Sequence, residues 1–379
     1  MKITIVTGAF FPVPPIMGGA VEKVWFALGQ EFVRLGHQVV QISRAHSQLP
    51  AAEEIAGVRH RRVRGFDQPR SIVTLKFLDL LYSLGVRRIL PPADILVTNT
   101  FWLPLLVRGT DRGLVYVHVQ RGPKGQMRWY SHVARLCAVS RAIADEIVAE
   151  APRLREKVRV LPNALPLRVE ETPDESRART ILFVGRVHPE KGLEIFLRAL
   201  SFLPPETRAR WKIKIVGPHE VELGGGGAEF LQSMKRLGQE SGAQIEWRGK
   251  IFEPAELNAQ YRAASLFIYP SVAETGEALP VAPLEAMANG CVPIVSDLAC
   301  FRDYIQDDVN GFIFNHRAAA PAEALAARLT NALDLDREKL TLMSKAARTK
   351  AAEFDVANVA PRYLEDFAAL LAKQPNESA

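Results

Sequence analysis

The sequence contains few cysteines, no paired-cysteine motif and no long apolar run. Only Cys137, Cys291 and Cys300 occur among 379 residues, and their spacing excludes a Cys-x-x-Cys metal or redox site and predicts reduced, buried thiols. The apolar stretch at the start of the chain ends at Gly8 and is too short for the apolar region of a secretion signal. No segment approaches the roughly 20 apolar residues of a membrane-spanning helix. We therefore expect a cytoplasmic protein.

Acidic residues are scarce in the first half of the chain. Residues 1–170 contain 24 Lys/Arg against 13 Asp/Glu, a net charge of +11, and the remaining residues contain 24 against 29, or −5. A basic half indicates an anionic partner, such as a nucleic acid, a phosphorylated acceptor or a membrane surface. With 48% hydrophobic and 24% charged residues, the chain can form two ordinary hydrophobic cores.

Apolar, β-rich runs alternate with amphipathic helical stretches along the chain. This alternation is typical of parallel sheets with crossover helices, and it predicts an α/β fold of two doubly wound units. The predicted strands lie near residues 2–6, 38–43, 58–63, 94–98, 114–118, 136–140 and 158–161, and then near 180–184, 213–216, 245–248, 266–269, 292–295 and 312–314.

A segment without periodicity separates the two series of strands. Residues 162–180 contain prolines and charges and predict an interdomain linker. The expected bounds are 1–165 for the first domain and 166–355 for the second. A further helix is predicted over 356–371, and its pattern alone is compatible with packing on the second domain.

Ligands of open parallel sheets bind where strands end and helices begin, so those places hold the candidate site residues. Gly18 and Gly19 lie between the first strand and the first helix, where a diphosphate fits against backbone N–H groups. A tight turn explains the two glycines nearly as well. The chain has no Gly-x-Gly-x-x-Gly, which disfavours a nicotinamide site.

Two cations follow the first strand of the second series. Gly185 and Arg186 end that strand, and Lys191 stands at the next helix start, so a guanidinium and an ammonium can converge on two phosphates. The alternative is a surface arginine and an ordinary helix-start lysine.

Three further candidates lie in strand-end loops. Glu277 and Glu285 run from a loop into a helix, where ionised carboxylates can bind sugar hydroxyls or act as ordinary helix caps. His118 ends an apolar strand and is either structural or functional, with basic residues in the following loop at Arg121, Lys124 and Arg128.

Two other features have plainer interpretations. The glycine run 224–227 has no strand directly before it and predicts a loose surface loop rather than a phosphate cradle. The triplet Asp334-Leu335-Asp336 resembles a metal motif, but it lies in a late helical region, and we interpret it as solvated.

Taken in order, these residues resemble the retaining glycosyltransferases of family 4, which have the GT-B fold of two facing Rossmann-like domains. The resemblance covers nearly the whole chain and is most specific from Arg186 to Glu285. The other matching segments are Phe11-Pro12, Gly18-Gly19, Gly36-His37-Gln38-Val39, Val139-Ser140, Leu161-Pro162-Asn163, Phe183-Val184-Gly185 and Asn310-Gly311. The resemblance further implies that a C-terminal helix, within 356–379, crosses back to the N-terminal domain.

The resemblance assigns roles to individual residues. Arg186 and Lys191 neutralise the pyrophosphate of a nucleotide sugar, Glu285 binds its ribose, and the backbone of 248–252 cradles the base. The implied catalytic set is Arg186, Lys191, Glu277 and His118, and the implied donor-binding set is Gly18, Gly19, Gly185, Arg248, Leu279, Pro280, Val281 and Glu285. No metal or other cofactor is implied.

Retention of configuration follows from the same resemblance. In a front-face mechanism the leaving phosphate takes the acceptor proton, and a double displacement with Glu277 as nucleophile is the alternative that we disfavour. The family loop usually has Phe-Gly where Leu279-Pro280 stand, and Pro280 removes an N–H donor. Ala164 replaces a common glycine, and a frequent histidine near Asn99 is missing.

The expected function is transfer of a hexose-type sugar from a UDP- or GDP-linked donor to a carbohydrate or lipid-linked acceptor in surface polysaccharide or lipopolysaccharide synthesis. No nucleic acid is expected as a partner. Peripheral contact with an anionic membrane at the inner face of the cell is expected from the arginines Arg59, Arg61, Arg62, Arg64, Arg87 and Arg88. The alternatives are a nucleotide-sugar hydrolase or epimerase, and a non-catalytic anion-binding protein.

Overall fold

The computed structural model describes residues 1–69, 71–165, 177–251 and 253–373. The chain divides into two compact units. Unit 1 comprises Met1–Arg168 and Phe354–Ala379, and unit 2 comprises Val169–Glu353. Residues 166–176 of the predicted linker lie outside the described residues.

Unit 1 contains a sheet of eight strands in the order β3-β4-β2-β1-β5-β6-β7-β8. All neighbouring strands are parallel except β3 and β4. Their bounds are β1 Lys2–Val6, β2 Gln38–Arg44, β3 Ala52–Ile55, β4 Val58–Val63, β5 Ile95–Thr98, β6 Leu114–Val119, β7 Arg135–Ala138 and β8 Val158–Val160.

The edge strand β3 was not predicted. It is short, two of its four residues are glutamates, and it has no buried apolar face. Backbone pairing with β4 forms it, through a turn at Ala56 and Gly57 that both have positive φ. Positive φ at both central residues is typical of a two-residue hairpin turn, but these φ values are not visible in the sequence.

Four helices of unit 1 connect the strands and a fifth comes from the end of the chain. Their bounds are α1 Ala20–Arg34, α2 Ile72–Ile89, α3 Leu103–Leu106, α4 Arg141–Glu150 and α12 Val356–Leu371. The helix α1 buries the apolar face that the sequence predicted, including Trp25, Leu28 and Phe32.

The C-terminal helix α12 belongs to unit 1 and packs into its core. Tyr363 and Phe367 are fully buried, and the Phe367 ring contacts Phe32 of α1 at 5.9 Å between centroids. Asp366 accepts a hydrogen bond from the Tyr116 hydroxyl at 3.0 Å and pairs with Arg135 at 2.6 Å. Helix α12 is therefore a structural part of unit 1.

Unit 2 contains a sheet of six parallel strands in the order β11-β10-β9-β12-β13-β14. The strands are β9 Ala178–Val184, β10 Lys212–Val216, β11 Gln244–Gly249, β12 Ala264–Tyr269, β13 Val292–Ser296 and β14 Phe312–Phe314. The helices are α5 Leu193–Leu200, α6 Pro205–Arg210, α7 Gly227–Glu240, α8 Pro254–Ala263, α9 Val281–Ala288, α10 Pro321–Leu333 and α11 Arg337–Ala352.

Strand order identifies where each sheet can bind a ligand. In unit 2 the chain adds β10 on one side of β9 and β12 on the other, so the direction of winding reverses between β9 and β12. Unit 1 reverses in the same way between β1 and β5. Crevices at the carboxyl ends of such strands are the usual ligand sites of this architecture. Two Rossmann-like α/β units are thus confirmed.

Replacing Phe367 by alanine tests the packing of α12. We expect the variant Phe367→Ala to lose about 3–5 kcal/mol of unfolding free energy, because a fully buried aromatic side chain leaves a cavity. Urea unfolding followed by tryptophan fluorescence measures the loss. Exposed Glu365 on the same helix provides the control, and Glu365→Ala should change stability by less than about 0.5 kcal/mol. Equal effects of the two substitutions would contradict the packing.

Candidate functional site

Close backbone packing brings the loops after β9 and β12 together in unit 2. Gly192, with φ 65°, starts α5 against the end of β12, where an added Cβ would lie 1.9 Å from the carbonyl oxygen of Pro270. Gly217, after β10, has equally little room beside the carbonyl oxygen of Gly185. Only glycine fits these contacts, and they place Lys191 beside the loop that carries Glu277.

Glu277 is held by three donors at one oxygen. Its Oε1 atom accepts hydrogen bonds from Lys191 Nζ at 2.5 Å, the Ser271 hydroxyl at 2.8 Å and the Tyr269 hydroxyl at 3.0 Å. The Lys191 and Glu277 side chains are only 10% and 7% exposed. Burial, and then the charge of Glu277, raise the pKa of Tyr269 well above its usual value, so its hydroxyl stays a donor.

Arg186 and Lys191 converge on a second carboxylate. The Arg186 guanidinium forms an ion pair with Glu190 Oε1, and the Lys191 Nζ atom lies 3.8 Å from the same oxygen. Arg186 also donates to the carbonyl oxygen of Gly224 at 2.6 Å, which fixes its direction. The structure thus brings the two predicted cations to one point, where Glu190 provides a negative charge.

The prediction of a loose loop at 224–227 is wrong. All four glycine N–H groups donate to backbone carbonyls at 2.8–2.9 Å, and Gly226 N bonds the carbonyl oxygen of Val187 beside Arg186. An added Cβ at Gly225 would lie 2.2 Å from the His219 carbonyl carbon, so the loop is tightly packed. The sequence signal for this ordered loop is the strand β10, which ends eight residues before Gly224. A loop so close to a strand end can pack against the sheet.

Glu285 lies in α9, the helix that follows the loop of Glu277. It accepts from the buried Tyr261 hydroxyl at 3.0 Å. Leu279 is buried before the helix, and Pro280 precedes its first residue, Val281. The structure therefore places the predicted residues 279–281 at the N-terminus of α9, and their contacts with a donor stay a prediction.

Arg248 lies near the end of the edge strand β11. Its guanidinium is partly exposed and pairs with Glu246 at 3.0 Å and with Glu256 at 3.5 Å. Phe252, the last residue of the predicted base-binding segment, lies outside the described residues. The base site therefore stays a prediction.

In unit 1, Gly18 and Gly19 have positive φ values of 79° and 94° and lead into α1. An added Cβ at Gly19 would lie 2.2 Å from Oε2 of Glu22, so this carboxyl group lies directly against the glycine. Burial raises the pKa of Glu22 to about 7. No pattern in the sequence predicted a role for Glu22. Below about pH 7 the carboxyl group is mostly protonated and places no full negative charge at this helix N-terminus.

His118 ends β6, is 2% exposed and lies among aromatic and amide groups. Its Nδ1 atom lies 3.1 Å from Trp25 Nε1 and 3.0 Å from Gln120 Nε2, and both of these atoms can only donate. Burial lowers the pKa of His118 to about 3, so the ring is neutral and its proton is on Nε2, which lies 3.0 Å from the Tyr363 hydroxyl.

These contacts give His118 a structural role in linking β6, α1 and α12. The ring bonds do not involve the basic residues of the following loop, which were expected to surround it. The Gln120 amide also donates to Asn163 at 3.0 Å, which ties the matching Leu-Pro-Asn segment to the same network. Contact of His118 with a donor sugar stays a prediction.

The cysteines and the acidic triplet are structural. Cys137, Cys291 and Cys300 are free and buried, as expected. Asp336 caps α11 by accepting from Lys339 N at 2.7 Å. Across residues 1–69, 71–165, 177–251 and 253–373, no group of three or more His, Cys, Asp or Glu side chains could hold a metal ion.

Comparison with known proteins gives the family. The model of Glycosyltransferase Family 4 matches residues 17–169, and that of Glycosyl transferases group 1 matches residues 169–350. Sequence identity is 28% over 265 residues with D-inositol 3-phosphate glycosyltransferase of Nocardia farcinica, covering 62% of this chain and 56% of that protein. It is 27% over 188 residues with lipopolysaccharide 1,2-N-acetylglucosaminetransferase of Salmonella typhimurium, covering 50% and 48%. These matches span about half the length of the two curated relatives.

Solved structures give the fold. HepE of Anabaena, crystallised with UDP and glucose, superposes with a TM-score of 0.72 at 16% identity, over 97% of this chain and 100% of that one. Two Rossmann-like units, with a pair of cations at the switch point of unit 2, define a protein of the GT-B class. The chain belongs to the group 1, family 4 glycosyltransferases.

The proton position on His118 is testable by NMR. We expect a neutral ring with the proton on Nε2 and no titration between pH 8 and 5, because the pKa of His118 in the folded state is about 3. The unfolded state binds a proton near pH 6.5, so this group destabilises the fold as pH falls from 6.5 towards 3. The ¹⁵N resonances, assigned by their loss in His118→Gln, measure the state. A titration midpoint near 6.5 would contradict the buried network.

Proposed function

We propose that the protein is a retaining glycosyltransferase that transfers a hexose-type sugar from a UDP- or GDP-linked donor to a glycan, glycolipid or other hydroxyl acceptor. The proposed pathway is the synthesis of surface polysaccharide or lipopolysaccharide at the cytoplasmic side of the cell membrane. Support comes from the family, from relatives named for sugar transfer to inositol 3-phosphate and lipopolysaccharide, and from the fold neighbour crystallised with UDP and glucose.

The convergence of Arg186 and Lys191 on Glu190 is the observation that carries the proposal. Two cations within reach of one carboxylate oxygen are close enough to share a diphosphate. They follow the carboxyl end of β9, beside the switch point where ligands of this architecture bind. A donor diphosphate would replace Glu190 as the partner of both cations.

These cations would act on the leaving group. Cleavage of the bond between the sugar and the diphosphate leaves its electron pair, and hence negative charge, on the phosphate oxygen. Fixed positive groups directed at that oxygen stabilise the transition state more than the ground state. Because Arg186 is bound to Gly224 and Lys191 to Glu277, neither side chain has to reorganise greatly during the reaction.

The contacts of Glu277 favour the front-face mechanism. Its Oε1 atom accepts three hydrogen bonds, one of them charge-assisted, and such bonds withdraw electron density from a nucleophile. In our proposal, Glu277 positions Lys191 and binds donor hydroxyls, and the departing phosphate takes the acceptor proton. Glu285 would bind the ribose while Tyr261 orients its carboxylate. The proposal includes no metal or other cofactor.

Substitution of either cation tests the donor site. We expect Arg186→Ala and Lys191→Ala each to lower transfer by about 10²–10³-fold, the range for one transition-state donor. Nucleoside diphosphate affinity, measured by calorimetry, should fall in both variants and needs no acceptor. Arg198→Ala removes an exposed arginine of α5 and serves as the control. Wild-type affinity and turnover in both site variants would exclude the diphosphate assignment.

Removal of the negative charge at Glu190 should have the opposite effect on binding. Glu190→Gln leaves its backbone contacts with Ser271 and Val272 intact but no longer neutralises the two cations. We expect UDP or GDP affinity to rise about fivefold, the order of one unit-charge repulsion at ~4 Å in water. Glu194→Gln on the exposed face of α5 is the matched control. A weaker affinity in Glu190→Gln would mean that Glu190 binds the ligand directly.

The products distinguish the alternatives. A hydrolase would release the nucleoside diphosphate without an acceptor, and an epimerase would leave the nucleotide attached to the sugar. The proposed transferase releases the nucleoside diphosphate only when an acceptor is present. A non-catalytic anion-binding protein using the basic half would bind polynucleotides with strong salt dependence and gain no melting temperature from nucleoside diphosphates.

A further inference from the structure

Helix α2 exposes several large apolar side chains to solvent. Five of its large hydrophobic residues are exposed, at 49% for Ile72, 74% for Val73, 56% for Phe77, 42% for Leu81 and 37% for Leu84. Val73, Phe77, Leu81 and Leu84 follow each other at intervals of four, four and three residues, so they form one continuous stripe. We call this stripe, with Ile72, the apolar face of α2.

The opposite face of α2 is buried and carries polar groups among apolar ones. Asp79, Tyr82, Ser83 and Val86 are buried in unit 1. The Asp79 carboxylate accepts from the backbone N–H groups of Phe101 and Trp102, both at 3.1 Å. These bonds fix the rotation of the helix, so the apolar face cannot turn inward without leaving a buried carboxylate unpaired. The exposure of the apolar face is therefore built into the fold.

Positive charge borders the apolar face, and negative charge is missing from it. Arg87 and Arg88 are exposed in the last turn of α2, and Arg61 of β4 reaches the Ile89 carbonyl oxygen at 3.4 Å. The only acidic residue of α2 is the buried Asp79. Arg62, one of the arginines that were expected at the membrane, is instead buried against Glu53 and the Val13 carbonyl oxygen.

We propose that α2 docks unit 1 on an anionic lipid surface, with its apolar face in the interfacial region and Arg61, Arg87 and Arg88 against lipid phosphates. Apolar and basic residues on the same exposed surface are the pattern of helices that lie in a membrane interface. No described helix is both long and apolar enough to cross a bilayer. A second copy of α2 fits less well, because it would bring further arginines and no exposed acid to pair with them.

The proposed docking surface adjoins the carboxyl edge of the unit 1 sheet. The Lys76 ammonium lies 4.6 Å from the ring centroid of Phe101, in the loop after β5, and the half-exposed Trp129 packs on that ring at 5.8 Å. Tryptophan is favoured at membrane interfaces. If the proposed transferase function holds, a lipid-linked acceptor would be presented at this edge. Docking itself does not depend on that function.

Co-sedimentation with vesicles tests the proposal on the full chain. We expect binding to phosphatidylcholine vesicles that contain 30% phosphatidylglycerol, and at least tenfold weaker binding to pure phosphatidylcholine. The double variant Phe77→Glu with Leu81→Glu should lose at least tenfold in binding to the anionic vesicles. Arg87→Gln with Arg88→Gln should weaken binding and reduce its salt dependence. The matched control is Phe202→Glu with Leu342→Glu, which changes exposed apolar residues of unit 2 and should bind as the wild type does.

Three outcomes would overturn the proposal. The first is that the wild-type chain does not bind anionic vesicles. The second is that the Phe77/Leu81 variant binds them as well as the control does. The third is that light scattering finds a wild-type dimer, which the Phe77/Leu81 variant converts to a monomer, while the wild type does not bind vesicles. Calorimetric UDP and GDP affinity is measured on every variant and should not change. If the donor proposal fails, the calorimetric titration shows no nucleotide binding while vesicle binding is unaffected. If docking fails, the vesicle assay shows no binding while nucleotide affinity is unaffected.

Discussion

At the end of β9 in unit 2, Arg186 and Lys191 lie against one oxygen of Glu190, while Glu277 holds the lysine from the other side. Two cations and two carboxylates balance each other, which keeps a partly buried cluster stable. Under the proposed function, an arriving diphosphate would bring the negative charge that Glu190 supplies in this structure. The site would then exchange one anion for another instead of creating a new buried charge.

The backbone makes this arrangement achievable. Gly192 and Gly217 allow contacts that any Cβ would block, and the packed glycine loop at 224–227 supplies the carbonyl that orients Arg186. In unit 1, Gly19 leaves room for the buried carboxyl group of Glu22 in the same way. Glycines at strand ends thus set the positions of the charged side chains in both units, which is why their spacing in the sequence has chemical meaning.

The fold was predictable because the strands have strong apolar patterns and alternate with helices. The edge strand β3 was not, because its two glutamates hide any such pattern and only backbone pairing forms it. Arg186, Lys191 and Glu277 could be named from position and resemblance, but Glu190, Ser271 and Glu22 could not, since their roles depend on which loops meet in space. Burial of His118 by α12, from the far end of the chain, was likewise invisible in local sequence.

The most direct test of the account is a crystal structure of the protein with bound UDP or GDP. The account predicts phosphate oxygens within hydrogen-bond distance of the Arg186 guanidinium and the Lys191 ammonium, with the Glu190 carboxylate displaced from both. A diphosphate bound elsewhere, with the Arg186–Glu190 and Lys191–Glu190 contacts unchanged, would contradict it.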